Sequence, residues 1–354
     1  MKICVLGSGN VGTAVAADLT NKGFEVTLVK TSKSIHNKSF EEIIKNKGKI
    51  IVEDIDNTYN VTVSKVTRDI EESVKSAHLI LVFIQTNYHE SLIMRIKDYL
   101  HDGQVLLFNP GYLSSAYVLK HCKGKDITIV EAESSPIDCR IIEPGKIKVF
   151  FKNVRNPIGI YPRAKKEIVF KEINKLGYNF ILLDNVVEAA LHNPNLIVHT
   201  IGAIMSIPRI EYSKGDYWMY REVFTKHVWN IVLSLDEEKM SVLEKVGLHR
   251  LSYVEACKIR NSIDSSKDAT EVFFDYARNK SPNGPKIPDS RYLTEDVPQG
   301  LVLLESLGKH LDIETPTCSG LINISNAAMN EDYRISGRTI ESLVEENIKD
   351  ILSD

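Results

Sequence analysis

The sequence predicts an α/β protein whose N-terminal half alternates strands with helices and whose C-terminal half is all helical. Between Lys2 and Leu183, short apolar runs rich in β-forming residues recur with helical segments between them. From Val186 onward, apolar residues recur at helical spacing instead. We therefore expect two domains, residues 1–184 and residues 185–354, with the division at Asp184-Asn185.

The segments of the N-terminal half are sufficient for one open, doubly wound parallel sheet. The expected strands are Lys2–Leu6, Glu25–Val29, Val61–Val66, Leu79–Ile84, Gln104–Phe108, Ile127–Ala132, Ile147–Phe151, Ile158–Tyr161 and Phe180–Leu183. The expected helices are Thr13–Asn21, Phe40–Lys47, Ile70–Ser76, Ser91–Tyr99 and Lys165–Lys175.

The C-terminal half continues as helices with one long polar interruption. The proline-rich stretch Asn279–Ser290 is expected to be a loop. The expected helices after residue 225 are Lys226–Glu244, Tyr253–Asn261, Ala269–Arg278, Val297–Leu311, Thr317–Met329 and Thr339–Leu352.

Composition excludes several classes of protein. The 44 lysine and arginine residues against 47 acidic residues give a net charge of -3, whereas an electrostatically driven nucleic-acid binder is strongly basic. The apolar runs are far shorter than the ~20 residues that span a bilayer. Polar residues interrupt the first apolar run after Leu6, so we expect no signal peptide. Five scattered cysteines indicate reduced thiols of a cytoplasmic protein, and we expect no metal site because no ligand-spaced cluster occurs.

A glycine-rich turn joins the first expected strand to the first expected helix, with the sequence Gly7-Ser8-Gly9-Asn10-Val11-Gly12. This Gly-x-Gly-x-x-Gly pattern lies in the strand–turn–helix context that dinucleotide binding requires. The first glycine permits the tight turn, the second lets a pyrophosphate approach the backbone, and the third lets helix and strand pack closely. The helix N-terminus offers N–H groups to the phosphates. The sequence therefore predicts a Rossmann dinucleotide-binding domain, and the alternative is a glycine turn that binds nothing.

The end of the second strand usually distinguishes NAD(H) from NADP(H). Here the segment Lys30-Thr31-Ser32-Lys33-Ser34 contains two ammonium groups, three hydroxyls and no acid. Positive charge and hydrogen-bond donors suit a 2′-phosphate, so NADP(H) is favoured over NAD(H), and a solvated basic loop is the alternative. Gln85 and Thr86 follow the strand that ends at Ile84, and we expect them to flank the cofactor.

Reduction with a nicotinamide also needs a proton donor from the protein. His192 and His199 lie seven residues apart in one apolar stretch and could face the same side of a helix. Histidines in such stretches are more often satisfied core or surface residues than catalysts. The residues by themselves leave the proton donor undecided.

Separated motifs make the chain similar to the opine dehydrogenase family, which includes octopine/nopaline-type and N-(1-carboxyethyl)amino acid dehydrogenases. They cover almost the whole chain in family order. The motifs are Gly7–Gly12 with Ala16-Ala17-Asp18-Leu19, Asn109-Pro110-Gly111, Glu133-Ser134-Ser135-Pro136 with Cys139-Arg140, His192-Asn193-Pro194, Arg291-Tyr292-Leu293-Thr294-Glu295-Asp296-Val297-Pro298-Gln299-Gly300-Leu301-Val302, Tyr333-Arg334 and Gly337-Arg338-Thr339-Ile340-Glu341.

The resemblance implies a helical domain of the 6-phosphogluconate-dehydrogenase-like type and a set of site residues. The motif histidine pairs with the aspartate of the Arg-Tyr segment, and the arginine of that segment holds a substrate carboxylate; these roles fall on His192, Asp296 and Arg291. Such a pair would fix the tautomer of His192 and raise its pKa toward neutrality. A helix beginning near Asp296 would let Arg291 and Asp296 converge, although that aspartate also suits an N-cap. Lys30 stands where NAD-using relatives carry an acid, which again favours NADP(H).

The resemblance also implies the reaction and its partners. An α-keto acid, pyruvate in this family, condenses with the amino group of an L-amino acid, and the resulting imine is reduced. A homodimer is expected from the family. The alternatives are a 2-hydroxyacid or ketopantoate-type reductase that needs no amine, and a non-catalytic NADP-binding sensor.

Overall fold

The computed structural model describes residues 1–33 and 35–354, which form twelve strands and nineteen α-helices. The strands are β1 (Lys2–Leu6), β2 (Glu25–Val29), β3 (Lys49–Glu53), β4 (Thr58–Thr62), β5 (Lys65–Thr67), β6 (Leu79–Val82), β7 (Val105–Phe108), β8 (Thr128–Ala132), β9 (Ile137–Glu143), β10 (Lys146–Lys152), β11 (Asn156–Tyr161) and β12 (Phe180–Leu182). Described residues include no helix long and apolar enough to cross a membrane.

The α-helices divide between the alternating N-terminal half and the helical C-terminal half. The first six are α1 (Asn10–Asn21), α2 (Asn37–Lys45), α3 (Ile70–Ser76), α4 (His89–Ile96), α5 (Ser114–His121) and α6 (Lys166–Ile173). The others are α7 (Val186–Leu191), α8 (Asn195–Ile204), α9 (Ile207–Ser213), α10 (Met219–Glu222), α11 (Lys226–Lys245), α12 (Tyr253–Asn261), α13 (Ala269–Asn279), α14 (Arg291–Thr294), α15 (Val302–His310), α16 (Pro316–Met329), α17 (Tyr333–Ser336), α18 (Ile340–Leu343) and α19 (Glu345–Ser353).

The chain divides into two compact units, Met1–Val186 with Asp354, and Val187–Ser353. The first unit contains an eight-stranded sheet in the order β12-β11-β8-β7-β6-β1-β2-β5. Its six strands from β8 to β5 pair in parallel, and in chain order they follow the 3-2-1-4-5-6 arrangement of the doubly wound dinucleotide-binding fold. β11 joins antiparallel to β8. The predicted fold class, a Rossmann sheet followed by helices, is confirmed.

A second sheet of four strands, in the order β4-β3-β10-β9, corrects the prediction of a single sheet. The expected strand Val61–Val66 is two strands, of which β4 lies in this sheet and β5 lies at the edge of the main one. The expected strand Ile147–Phe151 lies in β10 and also belongs here. Strands β3 and β9 and helix α5 were not predicted. Periodicity identifies a half-buried strand but does not say which sheet it joins.

The second unit packs around the apolar helix α8, which contacts α11, α14 and α16. Two long helices expected from the sequence are interrupted. The expected Val297–Leu311 begins as a wide π-type turn over Val297–Leu301 before α15 starts. The expected Thr339–Leu352 is split into α18 and α19 because Val344 adopts a positive φ of 70°, a conformation that ends a right-handed helix.

Candidate active site

The glycine-rich turn in the first unit is shaped to hold a dinucleotide. Gly7 has a φ of 114°, and a Cβ there would lie 2.3 Å from the carbonyl oxygen of Phe83. A Cβ on Gly12 would lie 1.8 Å from the carbonyl oxygen of Gly7, so helix and turn touch. At Gly9, by contrast, a Cβ would meet only the ring carbon Cδ2 of His36 at 3.9 Å. The backbone is therefore open to a ligand at the second glycine, where the fingerprint requires it.

Polar atoms around this turn also fit a cofactor. No side chain caps the N-terminus of α1, because the N-cap residue is Gly9, and the Asn10 side chain accepts a hydrogen bond from the Ile141 backbone N–H at 2.9 Å. The buried hydroxyl oxygens of Ser8 and Thr13 have no hydrogen-bond partner among the described residues. Buried polar groups without partners are uncommon in native proteins and here point to a ligand that supplies them. The N–H groups of the first helical turn are also suited to an anionic group.

The loop after β2 is more basic than its own sequence indicates. Arg68 donates to the carbonyl oxygen of Ser32 at 2.8 Å, and Arg95 donates to that of Thr31 at 2.9 Å. Lys33 is exposed, whereas Lys30 is buried and donates through Nζ to the carbonyl oxygen of Ile35 at 2.5 Å.

Burial, followed by the nearby Arg68, lowers the pKa of Lys30. Sequence reasoning selected the two lysines and missed the two arginines. Arg68 directly follows β5, so separating β4 from β5 would have placed it at the carboxyl end of a sheet strand. Ser34, counted among the loop hydroxyls, lies outside the described residues.

Gln85 and Thr86 lie beside the glycine-rich turn, as the strand order requires. They follow β6, which pairs in parallel with β1, and the preceding Ile84 contributes a methyl group 2.9 Å from a Cβ built on Gly7. Thr86 is buried and begins a short 3-10 turn before α4. Their contact with a cofactor stays a prediction.

Two family motifs meet at the same edge of the main sheet. The Asn109 side-chain amide donates to the carbonyl oxygen of Ser134 at 2.8 Å and so joins the loops after β7 and β8. Beside it, the fully buried Glu131 carboxylate accepts hydrogen bonds from the backbone N–H groups of Leu113 and Ser115 at 2.8 and 2.7 Å. These contacts hold the loop that begins α5, so the motifs have a structural role at this edge.

In the second unit, the structure pairs Asp296 with His199. The Nδ1 atom of His199 lies 2.8 Å from Oδ2 of Asp296, which is fully buried. The ring of Tyr292 stacks on the His199 ring with a centroid distance of 3.7 Å and an interplanar angle of 8°. The Nε2 atom of His199 has no hydrogen-bond partner among the described residues, and its side chain keeps 12% exposure. This nitrogen is the one available for proton transfer.

The expected pairing of His192 with Asp296 is wrong. Both ring nitrogens of His192 are buried and without a hydrogen-bond partner among the described residues, and the nearest carboxylate oxygen, from Glu188, is 3.9 Å from Nε2. Burial, followed by the positive charges of Lys239 and Arg260, lowers the pKa of His192 well below its usual value, opposite to the expectation.

The reason for the error is a break between two helices, which separates the two histidines. Helix α7 ends at Leu191 and α8 begins at Asn195, so His192 and His199 do not share a helix. Asn193 stabilises the corner by accepting a hydrogen bond from the Asn195 backbone N–H at 3.0 Å, and Pro194 follows it. The motif His192-Asn193-Pro194 is therefore a helix corner.

Arg291 begins the same short helix that presents Tyr292. Its side chain is 47% exposed, and its Nε lies 3.2 Å from an oxygen of the buried Glu295. Asp296 follows Glu295 and precedes the wide turn over Val297–Leu301, so a helical segment begins near Asp296 as expected. Described residues contain no group of three histidine, cysteine, aspartate or glutamate side chains that could hold a metal ion.

Family models match both halves of the chain. The model of the NAD/NADP octopine/nopaline dehydrogenase α-helical domain matches residues 182–329. The model of the NAD-dependent glycerol-3-phosphate dehydrogenase N-terminus matches residues 2–109. An opine dehydrogenase from Arthrobacter sp. (strain 1C) is 28% identical over 343 residues, which cover 96% of this chain and 94% of the relative.

Solved structures show the same fold over the whole chain. Octopine dehydrogenase in complex with NADH and agmatine matches with a TM-score of 0.80 at 15% identity, covering 100% of this chain and 98% of that one. Yersinopine dehydrogenase with NADP+ bound matches with a TM-score of 0.71 at 13% identity, covering 100% of this chain and 94% of that one. The resemblance found in the sequence motifs is confirmed: the chain is similar to opine dehydrogenases over its whole length, and these comparisons indicate an NAD(P)-dependent oxidoreductase that acts on a CH–NH group.

Proposed function

We propose that this protein catalyses the NADPH-dependent reductive condensation of an α-keto acid, pyruvate by family resemblance, with the amino group of an L-amino acid. The observation that carries the proposal is the His199–Asp296 pair, with Nδ1 held by a buried carboxylate and Nε2 without a hydrogen-bond partner in the described part of the chain. An acid/base of this kind is needed by a condensation that moves several protons. The helical-domain family match supports the same reaction.

The condensation proceeds in three steps. The amine nitrogen attacks the keto carbon and a proton reaches the carbonyl oxygen, giving a carbinolamine. Loss of that hydroxyl as water gives a protonated imine, whose N–H is retained in the secondary amine. When bound, the nicotinamide supplies a hydride to the imine carbon, and the product is an N-(1-carboxyalkyl)amino acid with a secondary amine. His199, protonated at Nε2, gives a proton to the leaving hydroxyl, and in the neutral form it takes one from the attacking amine.

Asp296 and Arg291 support this chemistry in different ways. Because Asp296 accepts from Nδ1, it fixes the tautomer in which Nε2 accepts a proton, and it stabilises the imidazolium that forms. The guanidinium of Arg291, whose side chain is 47% exposed, is a planar fork of N–H donors. Two parallel hydrogen bonds from such a fork bind the carboxylate of an α-keto acid.

The choice of NADPH rests on the basic loop after β2. Arg68 and Arg95 donate hydrogen bonds to the segment after β2, which itself carries Lys33 and no acidic residue. A 2′-phosphate requires positive charge at this position. We expect kcat/KM to be higher for NADPH than for NADH. Arg68→Ala should lower kcat/KM for NADPH by about tenfold and leave the NADH value nearly unchanged, because one charge-assisted hydrogen bond contributes roughly that factor. Arg250→Ala, at a partly exposed arginine of the second unit, is the matched control.

The proposed reaction is tested by leaving out the amine. NADPH oxidation is followed by absorbance with pyruvate alone, with an amino acid alone, and with each of a panel of amino acids together with pyruvate. We expect oxidation only when both substrates are present. Oxidation with the keto acid alone would instead identify a 2-hydroxyacid or ketopantoate-type reductase. NADPH binding without oxidation under any condition would identify a sensor.

The amino-acid partner is the finer question that the same panel answers, since no motif fixes the residues of its pocket. The expected homodimer and the cytoplasmic location stay predictions. Sedimentation equilibrium tests the dimer, and fractionation of the source cells tests the location.

A further inference from the structure

Tyr292 and His199 form a close stacked contact in the second unit. The centroids lie 3.7 Å apart and the planes differ by 8°, whereas the rings that surround Phe273 in the same unit lie 5.0 to 6.5 Å from its centroid. An offset parallel arrangement is one of the favoured geometries for aromatic rings. The contact therefore fixes the plane of the imidazole, which a single hydrogen bond through Nδ1 does not do.

Two contacts made from different directions hold the ring of His199. The Asp296 carboxylate binds its Nδ1 edge at 2.8 Å, and Tyr292 covers one face. Since α14 packs directly on α8, the backbone of Tyr292 is itself supported by the helix that carries His199. With one edge and one face occupied, Nε2 points in a single direction.

The same helical turn carries the residue assigned to the substrate carboxylate. Arg291 precedes Tyr292 in α14, and Asp296 follows two residues after the end of that helix. A movement of the Tyr292 ring would therefore change the position of the imidazole relative to the guanidinium. Misplacement of a catalytic group by ~1 Å costs about 100-fold in rate.

We propose that Tyr292 is a positioning residue for proton transfer, because its ring stacks on the imidazole of His199 and holds Nε2 toward the substrate while Asp296 holds Nδ1. The role belongs to the aromatic face and not to the hydroxyl. This inference rests on the proposed function of His199 as the acid/base.

The experiment compares Tyr292→Phe, which keeps the aromatic face, with Tyr292→Leu and Tyr292→Met, which remove it and retain apolar volume. Tyr212→Leu is the matched control, since Tyr212 lies in the same unit with 87% exposure. Steady-state kcat and KM are measured for both substrates. We expect the Leu and Met variants to lose about 10- to 100-fold in kcat with KM within about threefold of wild type, and the Phe variant to stay within about threefold of wild-type kcat.

A second readout does not depend on turnover. In enzyme labelled with ¹⁵N-histidine, the Nδ1–H proton of His199, assigned by its loss in His199→Gln, should exchange slowly in wild type and Tyr292→Phe and faster in Tyr292→Leu. Wild-type enzyme without amine-dependent oxidation would contradict the proposed function, whatever the exchange rates. Unchanged kcat and exchange in Tyr292→Leu and Tyr292→Met, or equal losses in Tyr292→Phe and Tyr292→Leu, would overturn the positioning role itself.

Discussion

His192 and His199 occupy two contrasting regions of the helical unit. His192 lies at the corner between α7 and α8, buried with both ring nitrogens lacking hydrogen-bond partners among the described residues and with cationic side chains nearby. His199 lies on α8 with a carboxylate on Nδ1, an aromatic ring on one face and Nε2 available. Burial of His192 disfavours the charged form of its ring, whereas the Asp296 carboxylate on Nδ1 of His199 orients its Nε2 for contact with a substrate.

The difference shows that the hydrogen-bond partners of a histidine decide whether it can serve as a general acid/base. A general acid/base must reach the reacting atom and be held in one tautomer, and only His199 has both the carboxylate and the free nitrogen. The corner around His192 has a structural explanation of its own. Arg260 donates to the His192 carbonyl oxygen at 3.5 Å, and Asn193 caps the Asn195 N–H. The motif thus fixes the direction in which α8 leaves the corner.

The largest expected difference in kcat is between variants of the two carboxylates that lie beside the two histidines. Asp296→Asn should lower kcat by about 100- to 10,000-fold, because an amide can hold His199 in the wrong tautomer and cannot stabilise the imidazolium. Glu188→Gln should leave kcat within about threefold of wild type, since its oxygen is 3.9 Å from His192 and makes no hydrogen bond to it. Both are measured by steady-state NADPH oxidation, and similar losses in the two variants would remove the distinction.

A smaller difference, in KM for the keto acid, is expected between variants of the arginines of the two regions. Arg291→Lys should raise KM for the keto acid by about 10- to 100-fold, because an ammonium group cannot form the two parallel hydrogen bonds of a guanidinium. Arg260→Lys should leave that KM unchanged and lower the midpoint of urea unfolding, since Arg260 is buried and holds the His192 carbonyl. Initial rates over a range of pyruvate concentrations give both KM values. An Arg291→Lys enzyme with wild-type KM would exclude Arg291 from the substrate site.

The smallest effect is the pH dependence of stability that His192 introduces. Because burial lowers its folded-state pKa well below 6.5, the unfolded chain takes up a proton there that the folded chain does not as pH falls below 6.5. The free energy of unfolding therefore decreases on acidification. Between about pH 7.5 and about pH 5.5, wild type should lose about 1 kcal/mol more than His192→Leu.

Urea unfolding of both proteins at the two pH values provides the check for this stability effect. His199→Leu, at the partly exposed ring, is the comparison variant. If wild type and His192→Leu show the same pH slope, His192 is not a buried neutral ring in solution.

The sequence predicted the Rossmann half well where local pattern and topology agree. β1, β2 and α3 have the expected boundaries, because each is a short apolar or capped segment between clear turn signals. The second sheet was missed because β3, β4, β9 and β10 are half-buried strands, and their partners depend on contacts distant in the sequence. Arg68 was missed for the same reason.

The candidate site was only partly predictable. Arg291, Asp296 and the glycine-rich turn follow from motif context. The sequence did contain a signal that separates the two histidines. Pro194 and the preceding asparagine are typical of the place where one helix ends and the next begins, and they lie between His192 and His199. The stacking of Tyr292 on His199 joins residues 93 positions apart and becomes visible only once α14 packs on α8.

The central claim, that His199 and not His192 is the acid/base, is tested most directly by one assay of three enzymes. NADPH oxidation is measured with pyruvate and the preferred amino acid for wild type, His199→Gln and His192→Gln, with bound NADPH monitored by fluorescence in each. We predict that His199→Gln loses about 100- to 10,000-fold in kcat while still binding NADPH, and that His192→Gln keeps kcat within about threefold. The reverse order, with His192→Gln inactive and His199→Gln near wild type, would contradict the account.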